Sequence, residues 1–265
     1  MFKFHFLLNA LFGALLSGLS LAIFAPYVTL RRISYMGEAL SHIAFAGIAI
    51  AILMNWNLSI TTLIFVVFIS LAIGWISQRH KLHEANTISI FLSVSMALGI
   101  ILISVSNNYA FDLASYLFGN VLLITGGEVQ TLLILSILNI AFVTIFYKEL
   151  FYLTYNEEMS KVFRIRTAPV SRLFLVLLAV NIAINLKSAG IILVTAQLIL
   201  PAVIAFNLVR NLKWAIIVSA IVSVLSAIVG FYLSFSLNLP TGATIVLFEA
   251  IVYSISMLLG DKNNA

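Results

Sequence analysis

Between Ala39 and Gln78 the chain carries no Asp, Glu, Lys or Arg, and Glu249 is the only such residue between Lys213 and Asp261. A helix on the surface of a water-soluble protein is apolar along one stripe only; one that is apolar all round is buried or spans a membrane. A membrane-crossing helix needs about 20 mostly apolar residues, and these runs supply several. Charged residues make up 9% of the chain and hydrophobic ones 63%, against about 25% charged in a soluble domain. That excludes a water-facing globular surface. The fold class is therefore all-α: a polytopic membrane helix bundle of about eight to nine transmembrane helices plus a short re-entrant or interfacial helix. No segment is polar and long enough to form a second domain, so residues 1–265 read as one transmembrane domain. Cysteine is absent, which excludes a disulfide framework and thiolate metal sites. The first apolar run lacks a convincing small-residue cleavage site and reads as a retained helix.

The expected spans cover about residues 5–30, 36–54, 58–77, 86–106, 129–147, 173–186, 191–209, 214–236 and 243–260. Residues 110–125 hold Asp112 and are too short to cross comfortably, so they form the interfacial piece. Ser188-Ala189-Gly190 breaks the sixth span from the seventh, Pro201 lies within the seventh, and residues 238–242 form a turn. Nine crossings place all but two of the 14 basic residues, Lys3 and Lys187, on one side. The net charge of +5 then marks cytoplasmic loops rather than a nucleic-acid partner. Lys and Arg accumulate in cytoplasmic loops, so the N-terminus is expected outside and the C-terminus in the cytoplasm.

Glu38 and His42 are four residues apart, which puts a carboxylate and an imidazole on one helix face. At 1.5 Å per residue from Arg32, His42 stands roughly 15 Å deep, about the middle of a 30 Å core. Ionisable groups at that depth are costly and mark substrate paths. Carboxylate oxygen and imidazole nitrogen also form a ligand set for a divalent transition metal. The alternative reading is ordinary interhelical hydrogen bonding. Glu249, in the last expected span, reads equally well as a hydrogen-bond partner for Asn or Ser and is not assigned to the metal. Asn181, Asn185 and Gln197 are expected to hydrogen-bond between helices. His80 and His83 flank Lys81 in a solvated loop without a full ligand set.

Residues 148–172 form the longest polar stretch. Within it Asn156, Glu157, Glu158, Met159, Lys161, Val162 and Phe163 lie on a short amphipathic pattern, with Met159, Val162 and Phe163 at i, i+3 and i+4. Such a helix suits the groove of a partner. No phosphate-binding loop of the G-x-x-x-x-G-K-[ST] type is present, and no soluble nucleophile–His–carboxylate set appears. The chain does not read as an enzyme, and energy for any transport comes from a partner or a gradient.

Arg31 to Gly47 resembles the R-R-x-S-x-x-G-[DE]-x-x-[SA]-H-x-x-x-x-G signature of the permeases of bacterial zinc and manganese ABC importers. Asp112 to Asn120 is similar to their D-x-x-x-Y-L-F-G-[DN] segment, Ala189-Gly190 through Pro201-Ala202 to a later helix, and Leu239 to Thr244 to the last turn. The likeness runs in order along nearly the whole chain. It implies a bacterial plasma-membrane permease that dimerises with a second copy of itself, is driven by two cytoplasmic ATPase subunits and receives metal from an extracellular binding protein. It implies no permanently bound cofactor, with Zn2+ or Mn2+ as transported substrate. The wording of residues 31–35 and 115–119 leans toward the zinc branch. The resemblance also implies that residues 156–163 couple to the ATPase. Many members carry Asp where this chain has Glu38, one methylene longer. A gradient-driven secondary cation transporter and a non-transporting membrane scaffold are the competing readings. Uptake that persists without an ATPase favours the first, and harmless apolar replacement of Glu38 and His42 favours the second.

Overall fold

A computed structural model describes residues 5–80, 84–106, 119, 121–155, 160, 162–163, 165 and 167–260. The described elements are eleven α-helices and one 3-10 turn. They are α1 (His5–Ala22), α2 (Ala25–Leu30), α3 (Tyr35–Met54), α4 (Leu58–His80), α5 (Glu84–Val105), the 3-10 turn (Val121–Leu123), α6 (Gly126–Ile145), α7 (Tyr147–Tyr155), α8 (Thr167–Gln197), α9 (Leu200–Leu208), α10 (Leu212–Leu237) and α11 (Thr241–Gly260). No strand occurs among the described residues. Eight stretches are long and apolar enough to cross a membrane. One of them, α8 with α9, is 42 residues long. That is about twice the 20 or so residues that one crossing needs. It is broken at Gly190, whose backbone is non-helical (φ 77°, ψ 167°), within the break expected from the sequence.

Proline placement corrects two expected boundaries and adds a break inside the first span, whose ends are as expected. The first span is interrupted after Ala22, and Pro26 sits in the first turn of α2. Pro201 lies at the start of α9 rather than inside a continuous seventh helix. Helix α8 begins at Thr167, so Pro169 stands in its first turn instead of ahead of it. In each case the missing N–H falls where a helix has no internal acceptor for it, so proline is tolerated there.

The chain divides into two compact units. The first comprises Met1–Arg31, Ala114–Ile145 and Asn185–Ala265; the second comprises Arg32–Leu113 and Phe146–Ile184. In the first unit α1 packs on α10 and α6, while α9, α10 and α11 pack on one another. Small residues allow the close crossings that membrane helices favour. A Cβ added to Gly230 of α10 would lie 2.7 Å from Ile245 Cα of α11. Three side-chain bonds tie polar groups inside the unit: Asn139 Nδ2 donates to the Ser20 carbonyl at 3.2 Å, Asn185 Nδ2 donates to Ser20 Oγ at 3.3 Å, and Ser219 Oγ donates to the Ala22 carbonyl at 3.0 Å. In the second unit α3 packs on α4 and α5, with Gly47 against Thr62 and Phe65. Ser70 Oγ of α4 donates to the Leu175 carbonyl of α8 at 3.1 Å.

Candidate functional site

Helix α3 is the most buried of the candidate spans, and its sequence explains why. Thirteen of its 20 residues are buried, and most of these are Gly, Ala or Ser, which lets neighbouring backbones come close on several sides. Ser41 turns its hydroxyl back onto the Gly37 carbonyl at 2.8 Å, so it places no free polar group in the packing. One narrow face stays open. Tyr35 is 44% exposed, Glu38 is exposed and His42 is half-buried. These positions are i, i+3 and i+7, an arc of about 60° at 3.6 residues per turn. The stripe ends there, because Phe45, Ala46 and Ala49 are buried.

Glu38 lies in the first turn of α3, where the positive end of the helix dipole favours a carboxylate. The i,i+4 spacing sets the Glu38 and His42 Cβ atoms roughly 6 Å apart. Among the described residues neither side chain has a hydrogen-bond or ion-pair partner, and no group of three or more His, Cys, Asp or Glu could hold a metal ion. The structure thus brings together the two side chains singled out by the sequence and adds Tyr35. Its open position follows from its i−3 spacing to Glu38, a signal present in the sequence.

Two of the sequence motifs meet in the first unit through their backbones. Gly119 (φ 62°) lies so close to the kink in α8 that an added Cβ would stand 2.3 Å from Gly190 N. A cavity of about 570 Å3 lined by Phe6, Gly119, Val121, Phe231, Leu239 and Pro240, among others, joins the same segment to the α10–α11 turn. Of the proposed partner-binding stretch, Asn156, Glu157, Glu158, Met159 and Lys161 lie outside the described residues, as do Asp112 and the rest of 107–118. Val162 and Phe163 are described: both are exposed, at 72% and 56%, and the Phe163 ring lies 5.7 Å from that of Tyr152.

An ion pair that the sequence reading did not single out links Lys187 Nζ to Glu128 Oε1 at 2.7 Å. The same Glu128 closes a capping box at the start of α6, accepting from Thr125 N at 2.9 Å while Thr125 Oγ1 accepts from Glu128 N at 3.4 Å. The T-x-x-E spacing is the sequence signal for it. The interhelical bonds expected of Asn185 and Gln197 are present, and Asn181 Nδ2 donates to the Leu177 carbonyl of its own helix at 2.8 Å.

Among the described residues, the all-helical bundle of long apolar spans is the architecture of a multi-pass membrane protein. The ABC 3 transport family model matches residues 3–260, and the chain belongs to that family. It is similar to the manganese transport system membrane protein MntC of Listeria innocua, at 34% identity over 260 residues, covering 98% of this chain and 92% of the relative. It is also similar to the high-affinity zinc uptake system membrane protein ZnuB of Buchnera aphidicola, at 32% identity over 231 residues, covering 87% and 88%. The solved structure of PsaBC from Streptococcus pneumoniae in complex with Fab superposes with a TM-score of 0.82 at 29% identity, over 96% of this chain and 91% of that one. The chain is a permease subunit and not itself an enzyme; ATP hydrolysis belongs to a separate subunit of such a system.

Proposed function

We propose that this protein is the membrane permease of an ATP-driven importer of a divalent transition metal, and that Glu38 and His42 line the path of the ion. The open face of α3 carries the reading. A carboxylate and an imidazole turned toward hydrocarbon would cost several kcal/mol, so a helix otherwise sealed by small residues has no reason to leave them uncovered toward lipid. A water-lined path between protein surfaces is the environment that suits them. Two ligands from one chain are fewer than a transition metal takes, and a second copy presenting the same pair supplies the rest. Relatives named for manganese and for zinc transport support the substrate class.

The two compact units constitute one permease domain, a reading supported by a single family match that runs through both. The basic loops face the cytoplasm, with the N-terminus outside. Residues 156–163 couple to an ATPase subunit; the exposure of Val162 and Phe163 supports this. An extracellular binding protein delivers the ion. An imidazole–carboxylate pair accepts both Zn2+ and Mn2+, and the sequence leaning toward zinc is put to the same assay. The test is uptake of radioactive zinc and manganese by the assembled complex, each in competition with the other. His42→Ala and Glu38→Gln are expected to abolish uptake while the complex still assembles. Wild-type uptake by either variant removes the path from this face.

A further inference from the structure

The interior of the first unit holds a polar node that the transport reading does not use. Glu249 of α11, Gln197 at the end of α8 and Ser223 of α10 are all buried, Glu249 completely. Gln197 Nε2 donates to Glu249 Oε1 at 2.9 Å, and Ser223 Oγ donates to Gln197 Oε1 at 2.7 Å. Helix α1 lies directly over the node: a Cβ on Gly18 would stand 2.5 Å from Ser223 Oγ and 3.5 Å from Gln197 Nε2. One atom is unaccounted for. Glu249 Oε2 is buried and has no hydrogen-bond partner among the described residues.

An ionised carboxylate in that position needs a positive partner, and the packed helices provide none. Helix α1 carries no charged residue, and its His5 is thirteen residues from Gly18. Lys187 on α8 and Lys213 on α10 each stand ten residues from the node, about 15 Å along their helices. Helix α9 carries no titratable group. The remaining titratable groups on these helices are Tyr253, one turn along α11, Tyr232 on α10, nine residues past Ser223, and Tyr27 on α2, none of which supplies positive charge; Arg31, which caps α2, lies thirteen residues past Gly18. A metal ion fits no better. Beyond the carboxylate, the node offers one amide oxygen, already taken by Ser223, and one hydroxyl, whereas oxygen-bound cations take about six ligands. An unpaired buried carboxyl group escapes the charge penalty by taking up a proton.

We propose that Glu249 is a proton-binding site in the membrane interior: it resides there as a neutral carboxylic acid, with the proton on Oε2, and joins α8, α10 and α11 against Gly18 of α1. The acid contributes hydrogen bonding rather than charge, so it takes no part in carrying the metal.

Infrared spectroscopy of the purified complex tests this at neutral pH, in a detergent without ester groups, with protein made on ordinary or carbon-13-labelled glutamate. The expected result is a carboxylic-acid carbonyl band that shifts with the label and is missing from Glu249→Gln, while metal uptake by that variant stays at the wild-type level. Loss of a carboxylate band instead of an acid band overturns the proposal, and so does loss of uptake in a folded Glu249→Gln complex. Should the variant fail to fold, the labelled wild type decides alone. Glu249 is the only fully buried Glu among the described residues, so absence of a label-sensitive acid band overturns the proposal.

Discussion

Replacing Gly119 with alanine is expected to destabilise the protein strongly, for two reasons that can be separated. The residue sits at φ 62°, a left-handed conformation that costs a non-glycine residue about 1–2 kcal/mol. Its new Cβ would also stand 2.3 Å from Gly190 N, 2.5 Å from Ala189 C and 2.8 Å from Gly190 Cα. Those are backbone atoms and cannot rotate aside, so the kink in α8 must shift, at about 1–3 kcal/mol for an overpacked site. The sum is about 2–5 kcal/mol, or roughly 5–20 °C in apparent melting temperature for a chain of this size. Gly127, in the first turn of α6, provides the control. Nothing lies within 4 Å of its added Cβ, and alanine there gains up to about 1 kcal/mol of helix propensity. Thermal melts of the detergent-solubilised protein measure both. Gly119→Ala melting alongside Gly127→Ala would refute the close approach of the two glycine backbones.

Because the chain lacks cysteine, single cysteines can test the proposal that a second copy meets the open face of α3. Cysteine at Tyr35 or His42 should give a disulfide-linked dimer on gels after mild oxidation, whereas cysteine at fully buried Ile48 should not; the reverse pattern counts against the two-copy site. Ser223→Ala removes one bond from the Gln197 node and should lower stability by about 1 kcal/mol, measured as a downward shift of the thermal melt. Lys187→Met should change stability by less than about 1 kcal/mol, because Lys187 is exposed and Glu128 only half-buried, so solvent screens their ion pair. A larger, salt-insensitive loss would mean that the pair carries more than surface attraction. Cross-linking from Val162 or Phe163 should reach an ATPase subunit, and labelling confined to the permease itself would argue against coupling there.

Much of the helical layout was legible, because a hydrocarbon-spanning helix announces itself by length and lack of charge. Gly190 marked its own break. What the apolar runs could not reveal was which side of each helix faces protein. In a soluble helix polar residues mark the outer face; here Leu133 and Leu138 of α6 are exposed while Leu132 and Leu135 are buried, with no change of residue type between them. Helix ends were blurred for a related reason: Pro26, Pro169 and Pro201 suit the first turn of a helix as well as the loop before it. The Glu38/His42 stripe was readable from spacing alone, since two ionisable groups one turn apart are conspicuous in an apolar run. The partner of Glu249 was not, because Gln197 is 52 residues away and only the packing of α8 on α11 joins them.

The make-up of α3 also bears on how genetic screens of this protein should be scored. Thirteen of its residues are buried, and a Cβ on Gly47 would stand 3.0 Å from Thr62 Cα, so enlarging substitutions on the buried side are expected to act through insertion or assembly and not through ion handling. Surface abundance therefore has to be measured for every variant of this helix before a loss of uptake is assigned to the Tyr35–His42 stripe.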